Sequence, residues 1–176
     1  MTNRKNRILI FTGDGKGKTT AALGMALRAS GHGMRTLMLQ FMKADETVGE
    51  LSAFKNLPGV EIIQMGRGFV PPAANPAFPE HRQAAFHALE KAAEVLRSKR
   101  YDLIILDEIC TAMDKGLITE DQIMKLIEES GEVSCLVLTG RGATDRLIAK
   151  ADTVTEMRSL KHGLREGITA QKGVEY

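Results

Sequence analysis

The chain has 176 residues, 43% of them hydrophobic, and this length predicts one domain with a well-buried core over residues 1–176. Its net charge of +2, with acidic and basic residues intermixed, argues against a nucleic-acid partner and an anionic membrane surface. No apolar stretch has the length of a signal segment or a membrane helix, so we expect a cytoplasmic protein with small-molecule ligands.

The first predicted element is a strand over Arg7–Thr12, and a glycine-rich turn follows it directly. Residues 8–20 read ILIFTGDGKGKTT, which is typical of a phosphate-binding loop between a strand and a helix. Lys18 would contact the terminal phosphates of a nucleoside triphosphate, and the Thr19 hydroxyl would bind Mg²⁺. Thr12 stands where the usual pattern has glycine, so a glycine-rich turn without a ligand remains the alternative. The predicted nucleotide-binding residues of the loop are Thr12, Gly13, Asp14, Gly15, Lys16, Gly17, Lys18, Thr19 and Thr20.

Short apolar runs alternate with helical patterns along the rest of the chain, which predicts an α/β fold with a mainly parallel six-stranded sheet and helices on both faces. The predicted strands are Arg7–Thr12, Thr36–Phe41, Val60–Met65, Leu103–Asp107, Cys135–Thr139 and Thr153–Met157. The predicted helices are Lys18–Ser30, His81–Lys99, Thr119–Ser130 and Ala143–Ala149, with Gly31 and Gly131 as helix stops. Ligands of such sheets bind outside the carboxyl ends of the strands.

An acidic pair, Asp107 and Glu108, ends the apolar strand over Leu103–Asp107. Two carboxylates beside a phosphate loop can hold Mg²⁺ directly or through water. Glu108 could instead polarise an attacking water, and an exposed acidic pair without a function is the plain alternative. The spacing leaves open which carboxylate contacts the metal.

Three further loops follow strands at the same predicted edge. The loop over Gln40–Glu50 mixes charges with glycine and suits either a substrate contact or a solvated connection. The loop over Gly66–Pro79 holds four of the five prolines together with Phe69 and Phe78, which suits a flat apolar ligand or simple anchoring on the core. Arg141 stands between two glycines, where it could meet a phosphate or a ribose, or be an exposed base in a plain turn.

These segments together resemble the P-loop family of ATP:corrinoid adenosyltransferases, which act on cob(I)yrinic acid a,c-diamide and cobalamin. The resemblance spans nearly the whole chain and implies a P-loop NTPase-like (RecA-like) domain. It rests on TGDGKGKTTAALGMALRASGHG at 12–33, QFMK with a downstream GE at 40–50, GRGF at 66–69, LDE at 106–108, TGRGA at 139–143, ADTVTEM at 151–157 and LKHGLREGITAQKGVEY at 160–176.

The resemblance implies that the nucleotide lies reversed on the loop, so that cobalt(I) attacks the ribose 5′-carbon of ATP and triphosphate leaves. Lys18, Phe69 and Glu108 are the implied catalytic residues, Thr19 and Glu108 the implied Mg²⁺ ligands, and Arg141 an implied nucleotide contact. Phe69 would face the corrin and favour its four-coordinate, reducible form. A homodimer and a reduced flavoprotein as electron donor are the implied partners.

Two residues depart from the family pattern. Pro71 stands where relatives carry a second aromatic residue, and Asp14 replaces a usual Asn, which adds charge near the triphosphate or a water-mediated Mg²⁺ contact. Only residues 1–6 precede the first strand, so we expect no N-terminal lid of the kind that some relatives carry. The rival interpretation is an ordinary P-loop ATPase or kinase in which Glu108 activates water or a hydroxyl.

Overall fold

The computed structural model describes residues 6–131 and 133–174. The strands in this part of the chain are β1 (Arg7–Thr12), β2 (Thr36–Gln40), β3 (Val60–Gln64), β4 (Leu103–Asp107), β5 (Cys135–Thr139) and β6 (Thr153–Glu156). The helices are α1 (Lys18–Gly31), α2 (Gly49–Phe54), α3 (Phe78–Ser98), α4 (Ile109–Asp114), α5 (Glu120–Glu129) and α6 (Asp145–Lys150), with a 3₁₀ turn over Gly163–Glu166. No helix among the described residues has the length and apolar character needed to cross a bilayer.

The strands form one six-stranded sheet in the order β3-β2-β4-β5-β1-β6, and every neighbouring pair is parallel. The sheet is therefore wholly parallel, whereas the prediction was a mainly parallel sheet. The predicted α/β architecture with six strands is confirmed. β5 lies between β1, which leads into the phosphate loop, and β4, which ends in the acidic pair. Three loops thus meet at adjacent carboxyl ends, where a ligand is expected.

The sheet is covered on both faces, as its nearly continuous apolar strands predict. Successive residues of β4 serve opposite faces: Ile105 packs with Ala22 and Ala26 of α1, whereas Ile104 packs with residues of α3 and α5. The alternation follows from the period of two residues along a strand. Small alanines let α1 lie close to the sheet, which fixes the start of that helix next to the carboxyl ends of the strands.

The predicted bounds differ from the structure mainly at short elements and strand ends. The two six-residue helices α2 and α4 were not predicted, because six residues show no reliable helical period. α3 begins at Phe78 rather than His81, since Pro79 in the first turn is compatible with a helix start. Phe41, Met65 and Met157 lie just beyond their strands, and Gly31 is the last residue of α1 rather than its stop.

Candidate active site

The phosphate loop is held against the end of β6. The Gly15 N–H donates a 2.6 Å hydrogen bond to the Met157 carbonyl. Gly13 has φ 92° and Gly17 has φ 104°, in the left-handed region that favours glycine. A Cβ on Gly13 would lie 2.5 Å from the Met157 carbonyl oxygen. The glycines are therefore needed both for the turn and for the close approach of β6.

Lys18 begins α1 and folds back across this loop. The residue is 7% exposed, and its Nζ donates to the carbonyls of Gly13 at 2.7 Å and of Gly15 at 2.6 Å. Burial lowers the pKa of Lys18 from its ordinary value, and Glu108 nearby opposes that shift. The ammonium thus lies within the turn that would surround a phosphate.

Asp107, at the end of β4, is fully buried and joins four elements through its carboxylate. Thr139 of β5 donates to Oδ1 at 2.7 Å, Thr19 of α1 donates to the same oxygen at 2.9 Å, and the Gln40 amide of β2 donates to Oδ2 at 3.2 Å. Burial raises the pKa of Asp107, because it destabilises the charged form more than these hydrogen bonds stabilise it. The carboxylate holds the Thr19 hydroxyl at the mouth of the phosphate loop.

Glu108 takes a left-handed conformation, with φ 61°, which is uncommon for a residue other than glycine. Its N–H donates to Thr139 Oγ1 at 2.9 Å, and its carboxylate accepts a short hydrogen bond from the Thr111 hydroxyl. Such backbone conformations often occur at functional sites, where surrounding contacts hold them. Whereas Asp107 is enclosed in the protein, Glu108 lines open space beside Lys18.

Arg141 is positioned by the same threonine. Its N–H donates to Thr111 Oγ1 at 2.9 Å, and its Nε lies 3.9 Å from the largely exposed carboxylate of Asp14. Gly140 before it has φ 131°, and a Cβ there would lie 2.5 Å from the Thr111 backbone nitrogen. The glycine lets the Arg141 loop pack directly on the start of α4.

Two cavities adjoin at this edge of the sheet. The first, of about 440 Å³, is lined by loop residues 14–20 together with Glu50 and Val174. The second, of about 730 Å³, is lined by Phe69 and the segment around it. Phe69 is 91% exposed, so it is not an anchor on the core, whereas Phe78 is half-buried and packs against the core. The residues that line both cavities are Lys18, Lys43, Glu108 and Arg141.

The structure brings most of the predicted site residues to these cavities. Thr12 and Gly13 do not line either cavity; the Thr12 hydroxyl instead accepts a 3.4 Å hydrogen bond from the Ala143 N–H. Sequence reasoning did not select Gln40, Thr111 or Thr139, which hold the two carboxylates. A polar residue at the end of an apolar strand is the signal that Gln40 and Thr139 share.

A comparison of this sequence with models of known protein families identifies the family of the chain. The model of the family described as ATP:corrinoid adenosyltransferase BtuR/CobO/CobP matches residues 4–176. The chain belongs to this family of corrinoid adenosyltransferases. The family assignment makes the protein a transferase that acts on a corrinoid, and it confirms the resemblance inferred from the motifs. Tyr176, the last residue of the C-terminal motif, and residues 1–5 lie outside the described residues.

Curated relatives agree with this assignment. A corrinoid adenosyltransferase from Pseudomonas aeruginosa is 38% identical over 170 residues, which cover 96% of this chain and 83% of the relative. One from Escherichia coli K12 is 34% identical over 170 residues, covering 96% of this chain and 85% of the relative. Among solved structures, the flagellar accessory protein FlaH from Methanocaldococcus jannaschii matches with a TM-score of 0.55 at 12% identity, covering 87% of this chain and 70% of FlaH. That likeness concerns the fold alone and agrees with the predicted P-loop NTPase-like architecture.

Proposed function

We propose that this adenosyltransferase moves the 5′-deoxyadenosyl group of ATP to cobalt(I) of a corrinoid and releases triphosphate. The corrinoid is cob(I)yrinic acid a,c-diamide or cobalamin, in the biosynthesis or salvage of adenosylcobalamin. The observation that carries the proposal is the shared wall of the two cavities, where Lys18 and Glu108 contact both spaces. A phosphate cavity that opens into a larger cavity beside an exposed Phe69 suits a reaction between a nucleotide and a broad apolar ring.

The reaction needs positioning more than acid–base chemistry. The filled axial orbital of cobalt(I) forms a bond to C5′ while the C5′–O bond breaks, and the bonding electron pair leaves with the triphosphate. No proton is taken from the nucleophile and none has to be given to the leaving group. Residues 14–20 grip the triphosphate, and Lys18 and Arg141 offset its charge, so catalysis consists of orientation and electrostatic stabilisation.

The donor set beside the phosphate loop fits Mg²⁺. Hydroxyl and carboxylate oxygens are the ligands that Mg²⁺ prefers, and the Thr19 hydroxyl lies 2.9 Å from the Asp107 carboxylate. We assign Thr19 and Glu108 as the ligands and Asp107 as the group that orients Thr19. When bound, the ion would offset the negative charge of the polyphosphate. The described residues hold no cluster of three or more His, Cys, Asp or Glu side chains fit for a metal, and the site assigned here uses one hydroxyl and one carboxylate.

Phe69 is assigned to the corrin. An exposed aromatic ring in the larger cavity can cover a corrin face and exclude an axial ligand from cobalt, which favours the four-coordinate ion that accepts an electron. Because Pro71 stands in place of a second aromatic residue, Phe69 alone is assigned to cover the corrin face and exclude the axial ligand. A homodimer, a reduced flavoprotein as electron donor and a cytoplasmic location complete the proposal, and they rest on the family resemblance.

The proposal is tested by the products. The protein is incubated with ATP, Mg²⁺ and chemically reduced cobalamin, the cobalt–carbon bond is followed by its absorption spectrum, and phosphorus products are identified by ³¹P NMR. We expect adenosylcobalamin and triphosphate in equal amounts. Corrinoid-independent release of ADP would contradict the proposal and support the ATPase or kinase interpretation, in which Glu108 serves the γ-phosphate.

A further inference from the structure

An ion pair between the last residues of the QFMK and GE segments lies at the junction of the two cavities. Lys43 Nζ is 2.5 Å from Glu50 Oε1. Both residues line the phosphate cavity, and Lys43 also lines the cavity of Phe69, whereas Glu50 does not. Lys43 therefore stands at the boundary between the space for the triphosphate and the space for the acceptor.

The backbone of Lys43 is fixed to the loop that carries Phe69. The Gly66 N–H donates to the Lys43 carbonyl at 3.2 Å, and the Gly68 N–H donates to the Met42 carbonyl at 2.8 Å. A Cβ on Gly66 would lie 2.1 Å from the Met42 carbonyl carbon, so only glycine permits this contact. Hydrogen bonds between the loop of Lys43 and the loop of Phe69 thus hold Lys43 in position, and its loop is not a free surface connection.

The ion pair of Lys43 and Glu50 is partly buried, and an ion pair in such a place adds little to the stability of the fold. The side chain of Lys43 is 30% exposed and that of Glu50 is 14% exposed, so both charges lose much of their hydration. Ion pairs in such surroundings are often no more stable than apolar pairs of similar size. A lysine ammonium carries three N–H donors, and Glu50 accepts one of them. The arrangement suits a cation that is held in place for an anionic ligand.

We propose that Lys43 is a catalytic residue that stabilises the charge on the departing triphosphate, and that Glu50 is its positioning residue. This inference rests on the proposed function. When the C5′–O bond breaks, its electron pair becomes negative charge on an oxygen of the α-phosphate, at the end of the triphosphate nearest the acceptor. Lys43 contacts both cavities and supplies a positive charge at that end, and no proton moves. A group that acts on charge developing in the transition state raises kcat more than it tightens binding.

The test compares Lys43→Met, Lys43→Arg and Glu50→Gln with the unaltered enzyme, using chemically reduced corrinoid so that the electron donor plays no part. For Lys43→Met we expect kcat to fall by roughly 10²-fold while KM for ATP changes by less than about 3-fold. Lys43→Arg should recover most of that rate, and Glu50→Gln should lose about 10-fold because a neutral amide holds the ammonium less firmly than a carboxylate does. Lys91→Met removes a lysine that pairs with Glu94 at 3.0 Å on α3, outside both cavities, and should leave both constants unchanged.

The outcomes separate this inference from the proposed function. If the unaltered enzyme forms adenosylcorrinoid and triphosphate but Lys43→Met keeps its kcat, or raises only KM for ATP or for the corrinoid, the role of Lys43 is refuted and the proposed function stands. If the unaltered enzyme releases ADP, both are refuted. Should Lys43→Met fail to fold, the other two variants decide. A kcat equal to the unaltered value in Glu50→Gln refutes the positioning role of Glu50. A kcat of Lys43→Arg that falls as far as the value expected for Lys43→Met refutes the charge role, because arginine keeps the positive charge.

Discussion

The Thr19 hydroxyl donates a 2.9 Å hydrogen bond to the carboxylate of Asp107, a residue 88 positions further along the chain. This contact ties the start of α1 to the end of β4, the strand on which Ala22 and Ala26 of that helix also pack. Gln40 and Thr139 donate to the same buried carboxylate. The orientation of the hydroxyl that we assign to Mg²⁺ therefore depends on a group that is itself enclosed in the protein.

Asp107→Asn should change the pH dependence of stability and, as a separate effect, lower activity. Burial raises the folded-state pKa of Asp107 above its ordinary value of 3.8, so the ionised carboxylate costs stability as the pH rises past that value. We expect the free energy of unfolding of nucleotide-free Asp107→Asn to rise relative to that of the unaltered protein between about pH 3.5 and about pH 7, because only the unaltered protein then gains a buried negative charge. Product formation should fall by about 10²-fold. Denaturant titrations at the two pH values and the adenosylation assay measure both effects.

The control for this change lies at the other end of the same strand. The Asp102 carboxylate accepts a 2.9 Å hydrogen bond from the Arg35 N–H, far from both cavities. Asp102→Asn should therefore keep full activity. An Asp107→Asn protein that retains normal product formation would show that the carboxylate does not support the metal site.

Lys18→Ala should abolish the reaction. The substitution removes the ammonium that bonds to the carbonyls of Gly13 and Gly15 and that would face the phosphates. We expect no ATP binding in isothermal titration calorimetry and a loss of product of at least about 10²-fold. A normal melting temperature confirms that the fold is intact, and ATP binding at the unaltered affinity would contradict the assignment of this loop.

Phe69→Ala should affect the cobalt rather than the fold. The ring is 91% exposed, so its removal should change the free energy of unfolding by less than about 0.5 kcal/mol. Activity should fall mainly when the assay starts from five-coordinate cobalt(II), and little when it starts from chemically reduced cobalt(I). Phe86→Ala removes a half-exposed ring on α3, outside both cavities, and should preserve activity in both assays. Equal losses in the two assays would assign Phe69 to general corrinoid binding.

Gly140→Ala should disturb the loop of Arg141. The new Cβ would lie 2.5 Å from the Thr111 backbone nitrogen in a residue with φ 131°, so the loop must shift. We expect a destabilisation of about 2 kcal/mol together with weaker ATP binding. Gly24 in α1 has nothing within 4 Å of its Cβ position, and Gly24→Ala should stabilise the helix by up to about 1 kcal/mol. Thermal unfolding of both variants checks the contrast, and a neutral Gly140→Ala would disprove the packing argument.

The sequence predicted most of the sheet because buried parallel strands are nearly all apolar. β1, β4 and β5 have the predicted bounds, and the phosphate loop follows β1 as the glycine spacing requires. What it could not predict depends on contacts between distant segments. The hydrogen bond of Gln40 to Asp107 follows from the register in which β2 pairs with β4, and no local pattern reveals that register.

The same limit applies to the candidate site. The spacing left open whether Asp107 or Glu108 would contact a metal. The left-handed backbone at Glu108 places this residue beside the cavities while Asp107 stays enclosed, and our assignment of Glu108 rests on that difference. The pairing of Lys43 with Glu50 depends on α2, a six-residue helix without a readable period. Phe69 could be found from its proline-rich loop, but its exposure could not.

The orientation of bound ATP tests the central claim most directly. A crystal structure with ATP, Mg²⁺ and a corrinoid should show the triphosphate on residues 14–20 and the ribose 5′-carbon at the boundary lined by Lys43 and Arg141, facing the cobalt beside Phe69. A nucleotide whose γ-phosphate faces that boundary, with adenosine directed away from the Phe69 cavity, would contradict the account.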